Sequence, residues 1–254
     1  MPEFPLLTNP MNLITQKLKG KPFIENFIGK SEKTTRFLVI NRKKGELSGI
    51  YEAEACFALN QVNAFENQDE LILDLCAYPN YPIDDYYLSN LRNTQGCKLS
   101  KPELRRYKIA RSAQSVSYEL LSEQFLEFPR INSEKCQRKE YQFVYGVGFV
   151  QYRPNDLFNQ LLKIDILQHK VSRWYEQGCY PGEPIFFPQP NSEQEDEGVI
   201  LSVVLDGNQG DSFLLILDGN SFVEIATTQV PNHILFGLHG QYFQKLALDE
   251  SSYF

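Results

Sequence analysis

The chain has 254 residues, of which 42% are hydrophobic, so it can bury a core by itself or form part of a larger domain. Its formal net charge of −7 excludes nucleic acid as the expected partner, because surfaces that bind nucleic acid are basic. Five cysteines without CxxC spacing and no recognisable signal peptide predict an intracellular protein, cytoplasmic or peripheral to a membrane, and leave a mitochondrial location open.

The first segment, residues 4–23, has a residue pattern that is compatible with a short amphipathic helix. Its lysines cluster near one end, which is typical of a helix lying on a membrane surface. The alternatives are a helix that faces the core or a loose terminus. The residue pattern alone favours these alternatives, because Asn9-Pro10 interrupts the helical periodicity.

The rest of the chain is predicted to form short strands separated by turns. The predicted strands are 36–41, 71–77, 141–150, 160–166, 170–175, 199–205, 212–217 and 222–229. The strings DGNQGD and DGNS separate the last three, and they indicate hairpins because Gly and Asn tolerate positive φ. This spacing predicts an all-β fold of the sandwich, barrel or propeller type, and no internal repeat selects among them.

Some polar stretches are expected to lie at the surface as long loops or turns. Residues 89–123 look irregular, and the acidic run 193–197 (EQEDE) is predicted to be a solvated loop before an apolar strand. The basic clusters Arg42-Lys43-Lys44 and Arg105-Arg106 are predicted to be solvated turns.

Three histidines are the most informative candidates for chemistry: His169, His233 and His239. His169 lies in a predicted hairpin turn, and the other two lie in VPNHILFGLHGQYF. There is no HExxH or HxH pairing, and no GxSxG, P-loop or GxGxxG motif. Residue types alone therefore favour structural roles for these histidines.

Seven blocks of sequence, in a fixed order between residues 61 and 243, resemble the carotenoid cleavage oxygenases, the animal β-carotene oxygenases in particular. The blocks are QVNAFENQDELILDLCAY (61–78), LEFPRIN (126–132), YGVGF (145–149), PGEPIFFPQP (181–190), EDEGVILSVVLD (195–206), FLLILDGNSFVEIA (213–226) and FGLHGQYF (236–243).

The resemblance implies a seven-bladed β-propeller, of which this chain is the C-terminal half, a single partial domain over residues 1–254. Blades would span residues 24–243, after the N-terminal segment 4–23 and before an atypical tail, 244–254. It also implies a dioxygenase that splits a C=C bond of a lipophilic polyene, a carotenoid or a retinoid, with O2 and Fe(II) held by four histidines.

The family's site residues carry over to four positions. His239 matches the last iron-binding histidine, while Glu127 and Glu195 match glutamates that accept the other ring N–H of such ligands. Asn60 stands where the family has a histidine, three residues before the Asn of its NAFE-type motif. The two remaining histidines belong to a region before this chain, so the chain alone is expected to bind iron weakly or not at all.

The same resemblance turns the N-terminal segment into a candidate membrane contact through Leu13, Ile14 and Leu18, next to the entrance for lipophilic substrate. Three hypotheses follow. The chain is an oxygenase fragment that is inactive alone, a non-catalytic carotenoid- or retinoid-binding remnant, or a propeller piece that only binds protein. Asn60 favours the second, and no feature of the sequence favours the third.

Overall fold

The structure, a computed structural model, describes residues 2–3, 6–8, 27–29, 33–80, 100–151 and 156–242. These residues form eighteen strands and one short helix. The strands are β1 (Pro2–Glu3), β2 (Leu6–Thr8), β3 (Phe27–Gly29), β4 (Thr35–Ile40), β5 (Leu47–Ala53), β6 (Phe57–Asn67), β7 (Glu70–Tyr78), β8 (Glu103–Ala110), β9 (Ser115–Ser122), β10 (Glu127–Arg130), β11 (Phe143–Gly148), β12 (Gln160–Asp165), β13 (Lys170–Tyr175), β14 (Cys179–Pro181), β15 (Ile185–Pro188), β16 (Gly198–Asp206), β17 (Asp211–Asp218) and β18 (Glu224–Gln229); helix α1 is Ser133–Cys136.

The strands form separate antiparallel sheets that follow one another along the chain. Two four-stranded meanders have the orders β6-β7-β8-β9 and β10-β11-β12-β13. A third sheet has the order β14-β16-β17-β18, with β15 also paired to β16, and smaller sheets join β1-β4-β5 and β2-β3. Successive four-stranded meanders are the units from which propellers are built. The prediction of an all-β fold is confirmed.

The core lies between the faces of neighbouring sheets. One buried cluster joins Phe65 and Leu104 of the β6–β9 sheet to Val144 and Leu162 of the β10–β13 sheet. The preceding residue, Leu161, points the other way and packs in a second cluster with the β14–β18 sheet. Because side chains alternate along a strand, each face of the β10–β13 sheet packs against a different neighbour.

Turn chemistry fixes the hairpins where the sequence predicts them. Between β16 and β17 the carboxylate of Asp206 accepts the N–H groups of Asn208 and Gln209, and Gly210 has a φ of 76°. Between β12 and β13, His169 has a φ of 54° and is exposed. The prediction that His169 is a solvated turn residue is therefore confirmed.

The prediction that residues 89–123 are irregular is wrong for the part that the structure describes, where β8 and β9 form half of a blade. The prediction that Arg105-Arg106 is a solvated turn is wrong for the same reason. Arg106 pairs with the buried carboxylate of Asp74 on β7 at 2.8 Å, and Arg105 pairs with Glu103 at 2.6 Å. Polar residues can occupy a blade strand here because each guanidinium has a partner.

The acidic run 193–197 is also less solvated than predicted. Asp196 is buried, and the Lys163 ammonium of β12 lies 2.6 Å from its carboxylate. The same ammonium donates to the carbonyls of Gly219 and Asn220. This buried ion pair joins the second meander to the third sheet.

The predicted N-terminal helix differs from the structure at residues 6–8, which form β2 and pair with β3. Residues 9–26, which contain Leu13, Ile14 and Leu18, lie outside the described residues. Within the described ranges, no helix has both the length and the apolar character needed to cross a membrane.

Candidate functional site

The candidate site is organised around β10, a strand of only four residues that pairs with β11. The pairing register shifts between Glu127 and Arg130, and Phe128 has a φ of 49°. Positive φ is rare for a bulky residue, and such irregularities redirect side chains and are common next to active sites. Glu127, Phe128 and Arg130 consequently reach three different partners.

The first partner set is a buried cluster around the Glu127 carboxyl. Asn60 of β6 donates from Nδ2 to one carboxyl oxygen at 2.6 Å, and the Tyr78 hydroxyl of β7 donates to the other. The register of the β6–β7 pair shifts between Ala58 and Gln61, so Asn60 also lies at an irregularity. The structure thus brings together two of the residues that the sequence singles out, Asn60 and Glu127.

Burial governs the acidity of this cluster. Glu127 is 2% exposed, and burial raises its pKa to about 7, although the hydrogen bonds from Tyr78, Asn60 and the Phe128 N–H act in the opposite direction. A carboxyl with this pKa changes its charge near neutral pH.

The second partner set surrounds His239. Its Nδ1 lies 3.1 Å from Oε1 of Glu183, whose other oxygen accepts the Gly240 N–H at 2.9 Å. Arg130 donates from Nε and Nη2 to the two oxygens of Glu183, at 3.0 and 2.9 Å, and from Nη2 to the Gly240 carbonyl at 2.9 Å. The Phe128 ring packs edge-on against the His239 ring, with centroids 5.6 Å apart.

This arrangement fixes what the imidazole can do. An ionised carboxylate only accepts hydrogen bonds, so in the neutral imidazole of His239 the proton lies on Nδ1 and Nε2 has the lone pair. Burial opposes ionisation of Glu183, but the hydrogen bonds from Arg130, Gly240 and His239 hold its pKa below the ordinary value. The His239 side chain is 56% exposed. An oriented imidazole of this kind is suited to binding a metal ion through Nε2.

Glu195 lies in a different environment. Its carboxylate accepts the backbone N–H groups of Gln142 and Phe143, both at 2.8 Å, and it also interacts with Cys136. The structure does not bring Glu195 together with His239. A role for Glu195 beside a metal ligand stays a prediction, and the observed contact of this kind belongs to Glu183.

Sequence reasoning missed Glu183, although a signal was present. Glu183 lies in PGEPIFFPQP, one of the seven blocks, between β14 and β15. The backbone there is held by the Gly182 N–H, which donates to the Val203 carbonyl, and by Ser202, which donates to the Gly182 carbonyl. A glutamate between two prolines in such a fixed bend was a stronger candidate than one in an acidic run.

Comparison with known proteins identifies the family. The model of the RPE65 family, described as retinal pigment epithelial membrane protein, matches residues 1–244. The chain belongs to this family, which includes the carotenoid cleavage oxygenases. Because curated members are named dioxygenases, the family is one of oxidoreductases.

Individual relatives agree with this placement. The human protein named "Carotenoid-cleaving dioxygenase, mitochondrial" is 31% identical over 94% of this chain and 48% of its own length. Human "Beta,beta-carotene 15,15'-dioxygenase" is 29% identical over 87% of this chain and 45% of its own length. The crystal structure of cobalt-substituted Synechocystis ACO matches with a TM-score of 0.84 and 25% identity, over 96% of this chain and 50% of that one. The chain thus spans about half the length of these relatives, and the prediction of a partial propeller is confirmed.

The residues that the structure describes fit an iron site only in part. His239, oriented by Glu183, fits as one imidazole ligand, whereas Asn60 uses its Nδ2 to bind Glu127 and offers only an amide oxygen, a poor replacement for imidazole on Fe(II). In the described ranges, no three His, Cys, Asp or Glu side chains are grouped to hold a metal ion. This part of the chain therefore does not make up a four-histidine centre by itself.

We predict that Glu127 makes folding stability depend on pH. Its pKa rises from the ordinary 4.5 to about 7 in the folded protein, so the folded state holds more protons between these values. The stabilisation is fully present below about pH 4.5 and is lost as the pH rises through about 7. Relative to Glu127→Gln, the wild type should lose on the order of 1–3 kcal/mol between these limits, as measured by urea denaturation. The exposed Glu123→Gln is the control, and equal pH dependence in Glu127→Gln and wild type would contradict the prediction.

Proposed function

We propose that this chain contributes one metal ligand, His239, to a protein that cleaves a carotenoid or apocarotenoid C=C bond with Fe(II) and O2. We propose also that the chain is inactive alone. The observation that carries the proposal is the His239–Glu183 contact of 3.1 Å, which leaves Nε2 of His239 available. The names of the curated relatives support the substrate class and the reaction. In this proposal iron supplies the oxygen chemistry, and the chain supplies and orients an imidazole.

The partner in this proposal is a lipophilic polyene, not nucleic acid, which agrees with the net charge of −7. Phe125, Phe128, Phe149 and Phe158 form a run of ring contacts that ends at His239, with centroid distances of 4.8–5.9 Å. Such a run offers an apolar surface next to the imidazole. We also propose an intracellular location; the human relative quoted above is named as mitochondrial.

A second candidate function is polyene binding without cleavage, and Asn60 favours it. Asn60 satisfies the buried carboxyl of Glu127 with a hydrogen bond of 2.6 Å, so the polar groups at this position have partners without a metal ion. An apolar binding surface can persist while the metal is lost. Purified protein that retains carotenoid colour but contains no iron is the expected result; protein that retains no pigment counts against this candidate.

A chimera tests the first proposal. This chain replaces the matching half of the human mitochondrial carotenoid-cleaving dioxygenase, which supplies the remaining half, and iron content and carotenoid cleavage are measured. Loss of a partner that only orients a metal ligand costs about 10–100-fold, so a missing ligand should cost at least about 100-fold. We therefore expect Asn60→His to raise iron content and cleavage by at least about 100-fold, and His239→Ala to abolish that gain.

Two results of the chimera experiment are decisive. Full iron and activity with Asn60 in place would show that its amide does not impair the centre. An Asn60→His chimera that folds but neither binds iron nor cleaves carotenoid would contradict the proposed function.

We further propose that the N-terminal segment contacts a membrane surface through Leu13, Ile14 and Leu18. Burial of apolar side chains in the interface drives such binding, so the triple variant with serine at these positions should co-sediment with liposomes at least about tenfold less. A double variant with serine at the exposed positions Leu47 and Leu167 is the control. Equal binding by the triple variant and the parent would count against this contact.

A further inference from the structure

The segment that carries His239 is not held by secondary structure of its own. After β18, residues 231–242 contain neither strand nor helix, and every one of them is exposed. Isolated segments of this kind do not hold a side chain in one orientation. The position of His239 must therefore come from contacts made by other parts of the fold.

Arg130 supplies the central one of these contacts. Its guanidinium makes two hydrogen bonds to Glu183 and one to the Gly240 carbonyl, while Glu183 accepts from the Gly240 N–H and from His239. Arg130 and Glu183 thus hold Gly240 by both its N–H and its C=O. The two residues fix the backbone beside His239 as well as the imidazole itself.

We infer that Arg130 is a positioning residue, which acts through Glu183 to set the ring orientation and the tautomer of His239. The inference rests on the proposed function only for the role of His239 as a metal ligand. It concerns a residue whose side chain binds Glu183 and the Gly240 carbonyl, and it holds for the protein without a metal ion.

The chemistry of the guanidinium explains why arginine is suited to this position. Its planar fork matches the two oxygens of a carboxylate and leaves a further N–H direction for Gly240. A lysine ammonium is a single point charge and cannot reproduce these parallel bonds. Glu183 has a side chain only 6% exposed, so its carboxyl oxygens depend on the surrounding protein donors, and not on water, for hydrogen bonds.

The alternative is that Arg130 forms an ordinary ion pair at the surface. Its side chain is 35% exposed, and pairs of that kind contribute little to stability. The two readings differ in what they predict for His239. An ordinary pair leaves its tautomer unchanged, whereas a positioning role requires the tautomer to change while the fold remains intact.

Nitrogen NMR of the histidine rings in the full 254-residue chain separates these readings, and only three histidines contribute signals. Spectra are recorded without metal at about pH 8, where free histidine is neutral. The His239 signals are assigned by their loss in His239→Gln. We expect His239 to carry its proton on Nδ1 in the wild type. In Arg130→Gln it should move to a mixture of both tautomers, like the exposed His169, and in Arg130→Lys it should lie in between.

Matched variants make the test specific. Arg173 is an exposed arginine whose side chain donates to Gln124, so Arg173→Gln should leave the His239 signals unchanged. In a Glu183→Gln background, Arg130→Gln should change the His239 tautomer less than it does alone, because only the bond from Arg130 to the Gly240 carbonyl is left to lose. Thermal melting of each variant reports whether the fold persists, and Arg130→Lys provides the test if Arg130→Gln does not fold.

An unchanged His239 tautomer in folded Arg130→Gln or Arg130→Lys overturns the inference. So does an equal change in Arg173→Gln, or a change in the Glu183→Gln background as large as in the parent. None of these results depends on iron or on carotenoid cleavage, so failure of the proposed function and failure of this inference are distinguishable.

Discussion

The hydrogen bond between Glu183 and His239 is the interaction on which the rest of the candidate site depends. His239 lies in an exposed segment without secondary structure, so its imidazole is useful to a ligand only if another part of the fold orients it. Glu183 can do this because it sits in a fixed bend between β14 and β15 and is kept ionised by Arg130. A rigid sheet therefore positions a side chain that its own segment leaves free, which is how loops on β scaffolds acquire function.

The irregular strand β10 links the two halves of the site. Its first residue, Glu127, binds Asn60 and its last, Arg130, binds Glu183, while Phe128 lies against the imidazole between them. The positions of His239 and Asn60 nevertheless differ in their chemistry. His239 has an imidazole nitrogen, Nε2, that is available to a ligand, whereas the amide of Asn60 is used in a set of hydrogen bonds around a buried carboxyl.

Much of the fold could be predicted from local sequence, and the exceptions have a physical cause. The strand 170–175 was predicted to the residue because Asp165 fixes the preceding turn by accepting the N–H groups of residues 167 and 168. Strand β8 was missed because Arg106 finds its partner, Asp74, far away in the chain, and no local pattern reveals such a pairing. Within the candidate site, block resemblance singled out His239 and Asn60. It did not separate Glu183 from Glu195, because only the packing of the third sheet decides which carboxylate reaches the imidazole.

The candidate site presents an oriented imidazole at His239, whereas the amide of Asn60 closes the second position. A neutron diffraction structure of the metal-free chain tests this arrangement most directly, because deuterium positions distinguish the amide nitrogen of Asn60 from its oxygen and locate the ring proton of His239. We predict a deuteron on Nδ1 of His239 directed at Glu183, and the deuterated amide nitrogen Nδ2 of Asn60 directed at Glu127. A His239 ring turned into solvent away from Glu183, or an Asn60 oxygen facing Glu127, would contradict this prediction.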